Sequence, residues 1–176
     1  MQEQGVSSEQ LTHETSSLVT NTSPVCILLN NFDIKQNIGS IFRLADAMGS
    51  QYVYLTGRTA TPPSRKITNT ARSAEKYVAY TYADNALDVV TDLKTLGVTI
   101  ISLELTQNSM DIEYLHLDKN EKVCLILGSE KEGVDDELLK ASDHIVHIPM
   151  HGHKSSLNVS TAAAIALYKL NQFFNS

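Results

Sequence analysis

Residues 24–56 read PVCILLNNFDIKQNIGSIFRLADAMGSQYVYLT. The run Val25–Asn30 is short, aliphatic and β-branched, the pattern of a strand buried on both faces. After a polar break, Ile38, Ile41, Phe42, Ala45 and Met48 recur at helical spacing, which predicts a helix over 36–48 stopped by Gly49. Tyr52–Thr56 reads as a second strand. A strand, an amphipathic helix and a strand in such quick succession call for parallel pairing with the helix laid over the sheet.

The rest of the chain repeats this texture. Two prolines and a glycine make 57–64 a loop. A helical turn is expected over 68–74, a strand over 77–80, and a helix over 83–96 closed by Gly97. Further buried strands are expected over 98–104, 122–127 and 145–148, with a short helix over 135–141. The last helix, over 158–174, carries a stripe of Val159, Ala162, Ala163, Ala166, Leu170, Phe173 and Phe174. Ile165, Leu167 and Tyr168 widen it, so more than one side of this helix should be covered, and a partner subunit could supply the cover. The expected fold is α/β, a mostly parallel sheet with helices on both faces. Residues 1–23, rich in Ser, Thr, Gln and Glu, read as a flexible arm before a domain over 24–176.

Composition narrows the function classes. With 176 residues the chain holds one domain with a substantial core. No apolar run is long enough to span a membrane, and the N-terminus has no secretory pattern, so the expected location is the cytoplasm. The net charge of −6 argues against a broad non-specific nucleic-acid surface but leaves room for a local basic patch. Cys26 and Cys124 sit in apolar runs and read as reduced core thiols. There is no dinucleotide fingerprint, P-loop, nucleophile elbow or zinc motif. His144, His147, His151 and His153 cluster. The pair His151 and His153 could hold a metal, although polar loop residues look the same.

Three segments can carry chemistry. In the first, Gly39 and Arg43 lie a turn apart on one helix face. Glycine costs about 1 kcal/mol inside a helix, so something should approach closely there. Arg43 could then reach across to a phosphate or carboxylate with its planar fork. Asn37 sits near the helix start, where it could be a cap. In the second, a buried strand runs into the loop Gly128, Ser129, Glu130 to Gly133, at the carboxyl end where α/β sheets bind ligands. Gly128 would let the backbone approach a ligand. In the third, Ile148, Pro149 and Met150 lead through a polar loop to Ser156, Leu157, Asn158, Val159 and Ser160. Here Ser156 and Asn158 could cap the last helix or present it to a ligand.

In this order the segments meet N-x-G-x-x-x-R, L-G-x-E-x-x-G and I-P-M…S-L-N-V-S, and the chain over about 24–174 resembles the SpoU, or TrmH-type, RNA ribose 2′-O-methyltransferases. The resemblance implies a C-terminal trefoil knot, a rare topology that periodicity cannot reveal. It implies a homodimer packed through the knot region, and S-adenosylmethionine held largely by backbone contacts at Leu103, Gly128, Ile148 and Leu157. It assigns Arg43 to activating the ribose hydroxyl at the partner's pocket, with Asn37, Glu130, Ser156 and Asn158 organising Arg43 and the ribose. Free arginine is a poor base, so Arg43 is better read as positioning a phosphate and stabilising a developing alkoxide. No metal enters this scheme. Arg58, Arg65, Lys66 and Arg72 form the strongest basic cluster, read either as a solvated loop or as a phosphate-gripping edge. RNA is the expected partner, tRNA ahead of rRNA. A base methyltransferase and a non-catalytic knotted RNA-binding dimer are the rival readings.

Overall fold

The computed structural model describes residues 22–152 and 156–174. The arm expected over 1–23 lies outside the described residues apart from Thr22 and Ser23, as do His153 and Ser155 in the third segment. Ser23, grouped with the arm by composition, is tied into the fold. Its N–H donates to Gly49 O at 2.9 Å and its hydroxyl to Asn171 Oδ1 at 2.6 Å.

Among the described residues seven strands form one sheet: β1 Val25–Asn30, β2 Tyr52–Thr56, β3 Ala79–Ala83, β4 Val98–Leu103, β5 Met110–Asp111, β6 Lys122–Leu127 and β7 His144–His147. Their order is β3-β2-β1-β6-β4-β7-β5. Every pairing is parallel, as the strand–helix alternation requires. The order is consistent with the C-terminal knot that the resemblance implies. Among the described residues five α-helices accompany the sheet: α1 Lys35–Ala47, α2 Arg65–Ala71, α3 Ala86–Thr95, α4 Asp136–Ala141 and α5 Val159–Phe174.

Because strand side chains alternate, each inner strand feeds two cores. On one face Ile27, Leu29, Leu125 and Leu127 pack with Ile38, Ile41 and Phe42 of α1, Ile67 of α2 and Leu167 of α5. On the other, Leu28, Cys124 and Ile126 pack with Val90 and Leu93 of α3 and Leu138 of α4. Cys26 and Cys124 are direct cross-strand neighbours and both are free thiols. Hydrogen bonding to Cys26 and full burial push the Cys124 thiol well above its ordinary value.

Several elements differ from expectation. Helix α2 spans all of 65–71 rather than a late turn over 68–74, and a 3-10 turn at Ala74–Lys76 follows it. Strand β3 lies later than expected and α3 starts later, because the Asn85 side chain accepts from Leu87 N–H at 2.9 Å and caps the helix there. The short β5 and a 3-10 turn at Ile112–Tyr114 fall in a stretch whose sequence shows no periodicity.

Gly39 is explained by packing, not by a ligand gap. A Cβ built on it would lie 2.4 Å from Ile67 O and 2.6 Å from Thr70 Oγ1, so α2 occupies the space into which Arg43 was expected to reach. Gly39→Ala should therefore force α1 and α2 apart despite alanine's better helix propensity. The expected loss is about 2 kcal/mol, or roughly 4–8 °C in Tm for a chain of this size. A thermal melt checks it; an unchanged or raised Tm would show that the two helices part at no cost.

Candidate functional site

A cavity of about 710 Å³ opens at the carboxyl ends of β4, β6 and β7. Such positions suit ligands because strands end there and loops of several crossovers converge. All four residues expected to hold a cofactor line it: Leu103, Gly128, Ile148 and Leu157. So do Glu130, Ser156 and Asn158 of the expected catalytic group.

The wall built from residues 128–134 is a closed loop. Ser129 N–H donates to Gly133 O at 3.1 Å, and Gly133 N–H donates back to Ser129 O at 3.0 Å. The Ser129 hydroxyl accepts from Glu132 N–H at 3.0 Å. A Cβ on Gly128 would sit 2.1 Å from the Gly133 carbonyl group, so this glycine serves the loop's closure on itself as well as the cavity wall. Gly133 has φ +72°, and a Cβ there would lie 2.5 Å from Glu104 Oε2.

Glu104 was not expected at the site. It follows β4 directly, lines the cavity and is half-buried. Its Oε2 accepts from Val134 N–H at 3.0 Å and its Oε1 from Leu105 N–H at 3.0 Å. The available signal was an acidic residue at the carboxyl end of a buried strand.

Asn37 is not a helix cap. The α1 cap position is Ile34, and the Asn37 side chain is buried. Its amide donates to Glu130 Oε1, and its oxygen accepts from Asn158 Nδ2 at 3.3 Å. One residue from each of the three sequence segments thus joins in a single hydrogen-bonded chain, which orients the Glu130 carboxylate. Asn158 also caps α5, its Oδ1 accepting from Ser160 N–H at 2.9 Å.

Arg43 stands apart from this group. It is exposed on α1, does not line the cavity, and its side chain has no ion pair or hydrogen bond among the described residues. The basic cluster is also divided. Arg58 lies between Glu132 at 2.8 Å and Asp33 at 3.5 Å, and this contact with Glu132 holds that carboxyl below its ordinary range. Arg65 and Lys66 open α2, and Arg72 ends it in the left-handed conformation with φ 54°. They share the α1–α2 pair with Arg43. Among the described residues no group of three or more His, Cys, Asp or Glu is arranged to hold a metal, and His147 instead contacts the Ser109 hydroxyl at 3.0 Å.

The model of the SpoU rRNA Methylase family matches residues 24–168. A tRNA (guanosine(18)-2'-O)-methyltransferase of Escherichia coli is 33% identical over 135 residues, covering 76% of this chain and 56% of the relative. An uncharacterized tRNA/rRNA methyltransferase of Synechocystis sp. is 31% identical over 151 residues, covering 85% of this chain and 38% of the relative. The chain spans little more than half the length of the first curated relatives it matches, 56–59% of each. Among solved structures, the AdoMet-bound rRNA methyltransferase from Sinorhizobium meliloti superposes with a TM-score of 0.80 at 25% identity, over 89% of this chain and 59% of that one. The A. aeolicus TrmH/SpoU tRNA modifying enzyme gives 0.79 at 25% identity, over 89% and 78%. Motif residues, fold and family match agree: this chain belongs to the SpoU methylase family.

Proposed function

We propose that this chain transfers a methyl group from S-adenosylmethionine to a ribose 2′-OH of RNA, with tRNA as its substrate class. The observation that carries this reading is the Asn158–Asn37–Glu130 chain at the rim of a cavity walled by the two family loops. The cavity fits the donor. Its volume of about 710 Å³ suits a nucleoside-sized ligand, Leu103, Leu127 and Ile148 offer apolar surface to a base, and Glu104 and Glu130 favour a cationic molecule. The donor supplies an electrophilic methyl group.

The chain's own residues supply alignment and charge. Glu130, held by Asn37, and Asn158 orient the acceptor ribose. Arg43 holds an RNA phosphate and stabilises the 2′ oxygen as its proton passes to solvent water. Since Arg43 lies away from its own cavity, it serves the cavity of a second subunit, and the active form is a homodimer. Exposed apolar residues support this: Ile165 and Tyr168 on α5 are 41% and 60% exposed, and Leu157 and Leu105 stand at the cavity. Arg65, Lys66 and Arg72 extend the positive surface beside Arg43 for phosphate contacts, with Arg58 at the loop that meets Glu132. No helix among the described residues is long and apolar enough to cross a membrane, and we place the enzyme in the cytoplasm with its RNA.

The test is transfer of labelled methyl from S-adenosylmethionine to size-fractionated RNA. Label is expected in the tRNA fraction, at a site that resists alkaline cleavage. Label in rRNA would move the substrate class, label on a base would sink the ribose reading, and no label on unmodified RNA would favour a binding protein.

A further inference from the structure

We infer that Glu104 recognises the ribose diol of the methyl donor, an assignment that rests on the donor reading above. The Glu104 carboxylate is fixed from two sides, with Val134 N–H on Oε2 and Leu105 N–H on Oε1, each at 3.0 Å. Each carboxylate oxygen has about two lone-pair sites, so each keeps one for a ligand. Two free acceptors side by side on a rigid plane match two vicinal hydroxyl donors. A carboxylate beyond the end of a parallel strand binds nucleotide ribose in other α/β sheets for the same reason. Gly133 has no side chain where Glu104 Oε2 lies, so the loop leaves the carboxylate its place.

The position also separates the donor's parts. Leu103 precedes Glu104, and Leu127 and Ile148 line the same cavity, so a base lying on this apolar surface brings its sugar to the carboxylate. Glu130 lines the same cavity from the Gly128 loop and accepts from the Asn37 amide, and in the reading above it orients the acceptor. Two glutamates thus divide two riboses, Glu104 the donor's and Glu130 the acceptor's.

Calorimetric titration of the full chain tests this with S-adenosylhomocysteine, its 2′-deoxy analogue and methylthioadenosine. In the unaltered protein, removing the hydroxyl should weaken binding about tenfold or more, the scale of a hydrogen bond to a charged group. In Glu104→Gln, S-adenosylhomocysteine should bind about tenfold more weakly, and the hydroxyl should matter less than about threefold. Methylthioadenosine, which keeps the ribose but lacks the amino acid, should lose as much. A hydroxyl effect equal in both proteins would reduce Glu104 to a clamp on Val134 and overturn the inference. Methylthioadenosine binding untouched by Glu104→Gln would place the carboxylate on the donor's ammonium and overturn it too. Should Glu104→Gln fail to fold, equal binding of the two homocysteine ligands to the unaltered protein is still decisive against it. No binding of any of the three to the unaltered protein would sink the donor reading and this assignment together.

Discussion

Gly128→Ala is expected to abolish donor binding, by about a hundredfold or more, while the sheet stays folded. The added Cβ would fall 2.1 Å from the Gly133 carbonyl group and 2.2 Å from Val134 N, distances no relaxed structure keeps. The backbone must give way, and with it the paired bonds between Ser129 and Gly133 and the Val134 contact to Glu104. Those contacts are the cavity wall, so the loss falls on binding. The core below, Val123 to Leu127, keeps its β1 and β4 neighbours, which limits the cost in stability to about 1–3 kcal/mol. Titration with S-adenosylhomocysteine beside a thermal melt separates the two effects. Unchanged affinity would show that residues 128–134 do not wall the donor site.

Arg43→Ala should lower methyl transfer by about a hundredfold or more, the usual loss when a donor to a developing oxyanion is removed. Arg43→Lys should recover little, because an ammonium cannot reproduce the planar fork. Stability should move by less than about 0.5 kcal/mol, since the side chain is exposed and without partners among the described residues. Mixing decides where Arg43 acts. An Arg43→Ala protomer with a sound cavity, paired with a Gly128→Ala protomer with a sound arginine, rebuilds one complete site if the arginine works across the dimer. After random exchange of subunits, about a quarter of full activity should return from two inactive proteins. No recovery despite demonstrated exchange would place Arg43 in its own subunit's site or remove it from the reaction.

These results bear on how a sequence carries a site. The strand–helix alternation is legible in the chain because burial on a sheet face or helix stripe imposes a local period, and Val25–Asn30, Tyr52–Thr56 and Lys122–Leu127 fall where that period puts them. The three motifs also stand in the sequence, and the cavity-lining positions among them were legible through the family resemblance. The helix boundary at Asn85 was missed because a single cap outweighs the apolar pattern around it.

By itself, then, the sequence determined the alternation of elements, the apolar faces and the set of motif residues, all of which depend on near neighbours along the chain. Only the tertiary structure decided what those residues meet. Strand order sets β6 beside β4 and brings Glu104 to the loop at Val134. The same folding joins Asn37 to Glu130 and Asn158, which lie 93 and 121 residues further along the chain. It also shows that α2 fills the space beside Gly39 and that Gly128 closes a loop. Local periodicity says which face of an element is buried. Which distant element buries it depends on the order of strands, and that order is selected by the packing of the whole chain.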